Sequence, residues 1–373
     1  MKIFINTCIR FFKKETVLCI AGFLAFISAF FVHPSAAYMG YIDFRVLSLL
    51  FSLMLVVAGF QSIGLFHCLG SALLTKVHTT RQLILVLSLL CFFSSMFITN
   101  DVALLTFVPF AIMILTMAGQ QKLLISTIVL QTIGANLGSM FTPVGNPQNL
   151  YLASAFSLST GTFLIRMFPL TALSLVLLVA AACMLPSTPV DIASQTAAER
   201  PEPKKLAVYL VLFMTCLGCV SHLIPYPVML VLVLITLLFI NRTLFQKADY
   251  FLLLTFVFFF LFIGNVQNIP AVSDLLHKLI RGRELGAGIL LSQCISNVPA
   301  AILLSGFTDQ VIPLLYGVNI GGLGTLIASL ASLISYRFYV GTENAHTGRY
   351  MKVFTLYNVI FLVILALVAW KIL

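Results

Sequence analysis

Thr99-Asn100-Asp101 concentrates the chemistry of this chain: a hydroxyl, an amide and a carboxylate set between two apolar runs, Leu83–Ile98 and Val102–Met117. An ionised carboxylate at the middle of a bilayer costs about 2.5–3.5 kcal/mol on insertion scales, so an acid at that depth is a functional candidate. Of the 11 carboxylates, Asp101 alone falls there on the reading of the spans given below. A second polar stretch, Thr142-Pro143-Val144-Gly145-Asn146-Pro147-Gln148-Asn149, interrupts an apolar run that starts at Leu123 and resumes through Phe156. Two prolines and a glycine in one turn cannot continue an α-helix. The freed carbonyl and N–H groups need partners, and in carriers a bound ion or substrate supplies them. Thr99, Asn100, Asp101, Thr142, Gly145, Asn146 and Asn149 are therefore candidate ligands for an ion or a small solute.

Both features recur. Ser296-Asn297-Val298-Pro299 forms a second polar tip between Ala287–Ile295 and Ala300–Phe307, and Gly321-Gly322-Leu323-Gly324-Thr325 interrupts Val311–Leu333. Self-similarity extends outward from these points. Gly134-Ala135-Asn136-Leu137-Gly138 matches Gly317-Val318-Asn319-Ile320-Gly321, which sets Thr142 opposite Thr325, Asn146 opposite Ser329 and Asn149 opposite Ser332. Asp43-Phe44 matches Asp249-Tyr250, Ile98-Thr99-Asn100 matches Ile295-Ser296-Asn297, and Arg166-Met167-Phe168 matches Lys352-Val353-Phe354. The matched set adds Asn136, Ser296, Asn297, Asn319, Thr325 and Ser329 to the candidates.

The elements that must hold these residues are membrane helices. Of 373 residues 61% are hydrophobic and 9% charged, where a soluble domain is about one quarter charged; mean hydropathy is +1.10. The expected fold is an all-α polytopic membrane protein with about 9–11 spans. Most of the 21 Lys and Arg fall on one side, which the positive-inside rule makes cytoplasmic. The net charge of +10 thus reports orientation, not nucleic-acid binding. Lys2, Arg10, Lys13 and Lys14 precede Val17–Val32, which reads as a retained first helix entering from the cytoplasm, with Glu15 unusual for a signal peptide. Each arm around Thr99–Asp101 is about 16 residues, short of the roughly 20 needed for ~30 Å of hydrocarbon. That predicts a re-entrant hairpin with polar tip, tolerable at depth only where protein or water satisfies it.

The chain divides into residues 1–43 with the first helix; a first repeat, 44–185, with hairpin 83–117 and broken helix 123–156; a proline-bearing cytoplasmic linker, 186–205; connecting helices, 206–241; and a second repeat, 242–373, with hairpin 284–307 and broken helix 311–335. The first copy starts outside and the second inside, so the repeats are inverted and the C-terminus lies outside. Inverted repeats with discontinuous helices meeting at the midplane mark secondary transporters. The eight Cys sit mostly in apolar spans and make no disulfide framework. Cys216, Cys219 and His222 share a helical face by their i, i+3, i+6 spacing; a small-residue packing face is preferred to a soft-metal site.

Asn-containing tips paired with a Gly-x-Asn-x-Gly helix that breaks at Thr-Pro-x-Gly-Asn resemble the ion transporter superfamily, over residues 45 to 370. That group comprises divalent anion:sodium symporters, citrate-transporter-like permeases and arsenite permeases. The Thr99-Asn100-Asp101 tip is closer to the Asn-Asp tips of the arsenite-permease branch. Dicarboxylate symporters carry Ser-Asn-Thr at both tips, where that family binds carboxylates and Na⁺; here Asp101 stands in place of Thr, which disfavours a dianion. The resemblance implies a homodimer with a scaffold and a moving transport region that contains both hairpins, in a bacterial cytoplasmic membrane. It implies no cofactor and no metal beyond Na⁺ at the hairpin tips.

The expected function is secondary active transport of a small inorganic or organic anion by alternating access, coupled to Na⁺ or H⁺. A cation/proton antiporter working through Asp101 is the alternative transporter. A membrane-embedded enzyme is the alternative of another class, but no His-Glu-x-x-His, Gly-x-Ser-x-Gly or P-loop pattern occurs.

Overall fold

The computed structural model describes residues 15–74, 77–190, 201–343 and 345–373. Lys2, Arg10, Lys13, Lys14, Lys76 and linker residues 191–200 lie outside them. Among the described residues the chain is helical, with one isolated antiparallel bridge, Thr79 to Pro189. Helix is what runs of Leu, Ile, Phe and Val must form in lipid, where each backbone polar group needs an internal partner.

Helix α1 (Thr16–Phe31), α2 (Phe44–Ser62) and the short α3 (Leu65–Leu74) precede α4 (Thr80–Ile98) and α5 (Asn100–Met117), which Thr99 alone separates. Helix α6 (Leu124–Ser139) and α7 (Pro147–Ala155) flank the first break, and α8 (Thr160–Cys183), α9 (Pro203–Val220) and α10 (Tyr226–Ile240) follow. Then come α11 (Tyr250–Gln267), α12 (Pro270–Ile280), α13 (Glu284–Ile295) and α14 (Asn297–Ser305), the last two separated by Ser296 alone. Helix α15 (Val311–Ile320) and α16 (Leu330–Val340) flank the second break, and α17 (Thr347–Ile372) ends the chain. Seven of these, α2, α4, α5, α8, α9, α11 and α17, are long and apolar enough to cross a membrane. Helices α1, α10, α13 and α15 are apolar but shorter. The chain is a multi-pass membrane protein.

Two expectations from sequence change. Helices α4 and α5 have 19 and 18 residues, so neither is too short to span, and arm length is no argument for a hairpin there. Helix α4 starts three residues before the apolar run because its polar first turn is satisfied. Thr79 Oγ1 accepts the Gln82 N–H at 3.3 Å, and the Thr80 N–H donates to Thr188 O at 2.9 Å. Arg81 Nε donates to Leu185 O at 3.0 Å. The second tip also contracts from four residues to one. Val298 and Pro299 lie in the first turn of α14, where a missing proline N–H leaves no intrahelical bond unmade.

Glycine sets the closest approach in the core. A Cβ on Gly138 of α6 would lie 2.6 Å from the Phe92 carbonyl carbon and 2.7 Å from Ser95 Oγ, both on α4. A Cβ on Gly321, at the end of α15, would lie 2.8 Å from Ser292 Oγ on α13. In each case a glycine lets a broken helix rest on the helix that leads to a polar tip.

Candidate functional site

Each polar tip is a single residue in the left-handed region: Thr99 at φ 68°, ψ 150° and Ser296 at φ 77°, ψ 154°. Backbone of that kind costs about 1–3 kcal/mol and persists only when its surroundings impose it. The turn puts Asn100 and Asn297 at the first position of α5 and α14, with Asn100 and Asn297 both buried. Asn146 and Ser329 are the N-caps of α7 and α16, with nearly equal backbone angles, −145°, 145° and −143°, 135°.

These four helix beginnings line one cleft. Its walls are Asn100 and Asp101 of α5, Asn146, Pro147 and Gln148 of α7, Asn297 and Val298 of α14, and Ser329 and Leu330 of α16, with Leu252 of α11. The cleft measures about 10 Å³, room for one water-sized group. Asp101 is the only charged residue among its walls, and no Lys or Arg lines it. A helix N-terminus carries roughly half a positive charge and unpaired N–H groups, so four of them favour negative charge or an oxygen acceptor.

Behind the walls runs a hydrogen-bonded network. Asn100 Nδ2 donates to Asn136 Oδ1 at 2.9 Å, and Ser329 Oγ donates to the same oxygen at 3.0 Å. Asn136 Nδ2 reaches Ser332 Oγ at 3.5 Å. Asn319 Nδ2 donates to Asn149 Oδ1 at 2.7 Å and so ties the two broken helices together. Asn149 Nδ2 in turn faces the carbonyls of Ser139, Met140 and Thr142 at 3.3–3.4 Å, the orphaned acceptors at the end of α6.

The candidates read from sequence therefore part into three groups. Asn100, Asp101, Asn146, Asn297 and Ser329 meet at the cleft. Asn136, Asn149 and Ser296 stand one bond behind it, Ser296 Oγ lying 3.4 Å from Asn297 Oδ1, and Asn319 stands one bond further back, on Asn149. Thr99, Thr142, Gly145 and Thr325 lie away from its walls. Thr142 accepts the Gly145 N–H at 3.1 Å and donates to Met96 O on α4. Gly145 packs on the Ser139 backbone, and exposed Thr325 donates to Gln293 O at 3.4 Å.

Two glutamines complete the picture. Gln293 Nε2 donates to Gly321 O at 2.8 Å and Leu323 O at 3.0 Å, while its Oε1 accepts the Thr325 N–H at 2.9 Å, so one side chain holds the second break. Gln148 is 1% exposed, yet neither amide atom has a partner. The only sequence signal for Gln293 was its place three residues before Ser296. Gln148 lay within the broken stretch, but an unpaired amide shows only once packing is known. Helix α9 ends at Val220, so His222 falls past the helix that carries Cys216 and Cys219; Cys216 Sγ lies 3.7 Å from Met229 Sδ, and Arg45 Nη1 donates to His222 Nδ1 at 2.9 Å.

Residues 3–311 match the family model described as citrate transporter. An uncharacterized transporter of Methanocaldococcus jannaschii is 31% identical over 332 residues, covering 87% of this chain and 88% of that one. The inner membrane protein YbiR of Escherichia coli is 32% identical over 343 residues, covering 89% and 88%. The silicon efflux transporter LSI3 of Oryza sativa subsp. japonica is 32% identical over 129 residues, 34% of this chain and 26% of that one. A match across most of the chain, joined to a buried polar cleft among membrane helices, settles the kinship: this chain is a membrane transporter that belongs to the citrate transporter family.

Proposed function

We propose that the chain is a secondary active transporter that moves a small anion across the cytoplasmic membrane by alternating access, coupled to Na⁺ or H⁺. One observation carries the reading: four helix N-termini face a single cleft whose walls hold no basic residue. The anion is then held by amides, a hydroxyl and helix dipoles. Neutral donors release a ligand readily, as a carrier must. The cleft is too small in this arrangement for any but a water-sized group, so entry requires the tips and breaks to move relative to each other.

Paired details support the inverted-repeat reading and a hairpin around each tip. Thr99 and Ser296 share one unusual backbone conformation. Asp43 caps α2 through the Val46 N–H at 3.0 Å as Asp249 caps α11 through Leu252 at 2.9 Å. Thr142 and Thr325 each donate to the carbonyl three residues before the tip, Met96 and Gln293. The proposed transport site comprises Asn100, Asp101, Asn146, Asn297 and Ser329, with Asn136, Asn149, Asn319 and Ser296 holding them, and Thr99, Thr142, Gly145 and Thr325 shaping the turns.

The position of Asp101 as the one charge in the cleft wall favours a second reading, cation/proton antiport with no anion. Purified protein in liposomes decides between them. Tracer anions under imposed Na⁺ and H⁺ gradients should accumulate on the first reading. Anion-independent Na⁺/H⁺ exchange is the result on the second.

A further inference from the structure

Gln148 stands out among the buried amides of the site. Asn100, Asn136, Asn149 and Asn319 each have at least one strong partner, whereas Gln148, 1% exposed, has none on Nε2 or Oε1. Upward of nine in ten buried polar groups are bonded, and each one left unpaired carries a desolvation penalty. Gln148 also lines the cleft, at the second position of α7. The residue before it, Pro147, has no N–H, so at this helix end the side chain supplies what the backbone lacks.

The unpaired atoms define the ligand. Among the fully buried side-chain atoms of the cleft walls, those without a partner are the Gln148 N–H₂ donor and two acceptors, Gln148 Oε1 and Asn146 Oδ1. A bare anion satisfies the donor and leaves both acceptors empty. A bare cation does the reverse. An oxyacid that keeps one proton satisfies both kinds, its oxygen accepting from Nε2 and its hydroxyl donating to an amide oxygen. Charge points the same way: Asp101 shares the wall and no Lys or Arg offsets it, so each further ionisation of the ligand is disfavoured.

We propose that Gln148 is a substrate-recognition residue and that it selects a small oxyacid as its proton-bearing monoanion over the more highly ionised form. The inference rests on the anion reading given above and deepens it.

The test uses full-length protein in liposomes at equal pH on both sides, with tracer exchange of inorganic phosphate, succinate and nitrate. Phosphate and succinate each pass from monoanion to dianion in the accessible pH range; nitrate carries no proton. The expected result is exchange of phosphate or succinate whose half-saturating concentration is constant across pH when expressed as dihydrogen phosphate or hydrogen succinate. Gln148→Leu should raise that concentration about tenfold or more and erase the preference for the protonated form. Gln148→Asn, one methylene shorter with the same amide, should keep the preference at reduced affinity, and it carries the test if the leucine variant does not fold. Unchanged half-saturation in both variants overturns the assignment of Gln148. Affinity that follows Na⁺ and not protonation overturns the ligand class. Exchange of nitrate without either oxyacid overturns this inference and leaves the anion reading standing; Na⁺/H⁺ exchange with no anion flux overturns both.

Discussion

Replacing Gly138 with alanine tests whether the close approach of α6 to α4 builds the site. The new Cβ would lie 2.6 Å from the Phe92 carbonyl carbon, 2.7 Å from Ser95 Oγ, and closer still to Phe92 O. Ordinary contact begins at 3.4 Å, and two of those three atoms are backbone that no rotamer change removes. Helix α6 must retreat by about 1 Å, and a gap of that size forfeits a quarter to a half of the attraction across the seam. Overpacking of this kind costs about 1–3 kcal/mol. The same retreat stretches the 2.9 Å Asn100–Asn136 bond, adding about 1–3 kcal/mol for groups left unpaired. The sum is about 2–6 kcal/mol, a fall in melting temperature of about 3–8 °C for a chain of this length. The assay is thermal melting of purified protein in detergent, beside Gly161→Ala as control. A Cβ on Gly161 meets nothing within 4 Å, so that variant should stay within about 0.5 kcal/mol of the parent. A Gly138→Ala protein that melts with the parent and transports normally refutes the reasoning.

Other outcomes follow from the same geometry. Gln293→Leu should cost about 1–3 kcal/mol for each of the backbone groups at Gly321, Leu323 and Thr325 it leaves unpaired, seen as a lower melting temperature and faster amide exchange at the second break. Asp101→Asn should abolish gradient-driven accumulation in liposomes and spare tracer exchange; undiminished coupling in that variant rules out Asp101 as the coupling group. Removing the side chains of Arg166 or Lys352 should lower the amount of protein in the membrane while leaving half-saturation unchanged, since neither lines the cleft. Loss of binding in those two variants alone would overturn a site built from neutral dipoles.

Much of this site is written in local chemistry. Asn100 and Asn297 each follow a hydroxyl residue that ends an apolar run, and Pro143, Gly145 and Pro147 in one turn stop an α-helix from continuing through them. Such signals need no knowledge of the partner. The start of α4 was hidden because Thr80 and Arg81 look like loop until Thr188 and Leu185 satisfy them from elsewhere in the chain, with Thr79 capping Gln82. Helix α12 went unbounded because Asp274, His277 and Lys278 interrupt its apolar residues over only 11 positions. Gln148 and Gln293 differ in role solely through what packs around them: one is fully bonded and the other bare. The separation into site and support was likewise beyond the sequence, since Thr142 and Asn146 sit four residues apart and only the latter reaches the cleft.

The central claim, a carrier whose anion site is formed by helix N-termini and the two tip asparagines, is tested most directly by concentrative uptake into liposomes with the parent protein and Asn297→Ala. The account predicts saturable anion accumulation that collapses with the Na⁺ or H⁺ gradient, and a half-saturating concentration raised by the equivalent of about 1–3 kcal/mol in the variant. Anion uptake of unchanged affinity in Asn297→Ala, or gradient-driven cation exchange with no anion uptake in the parent, would contradict it.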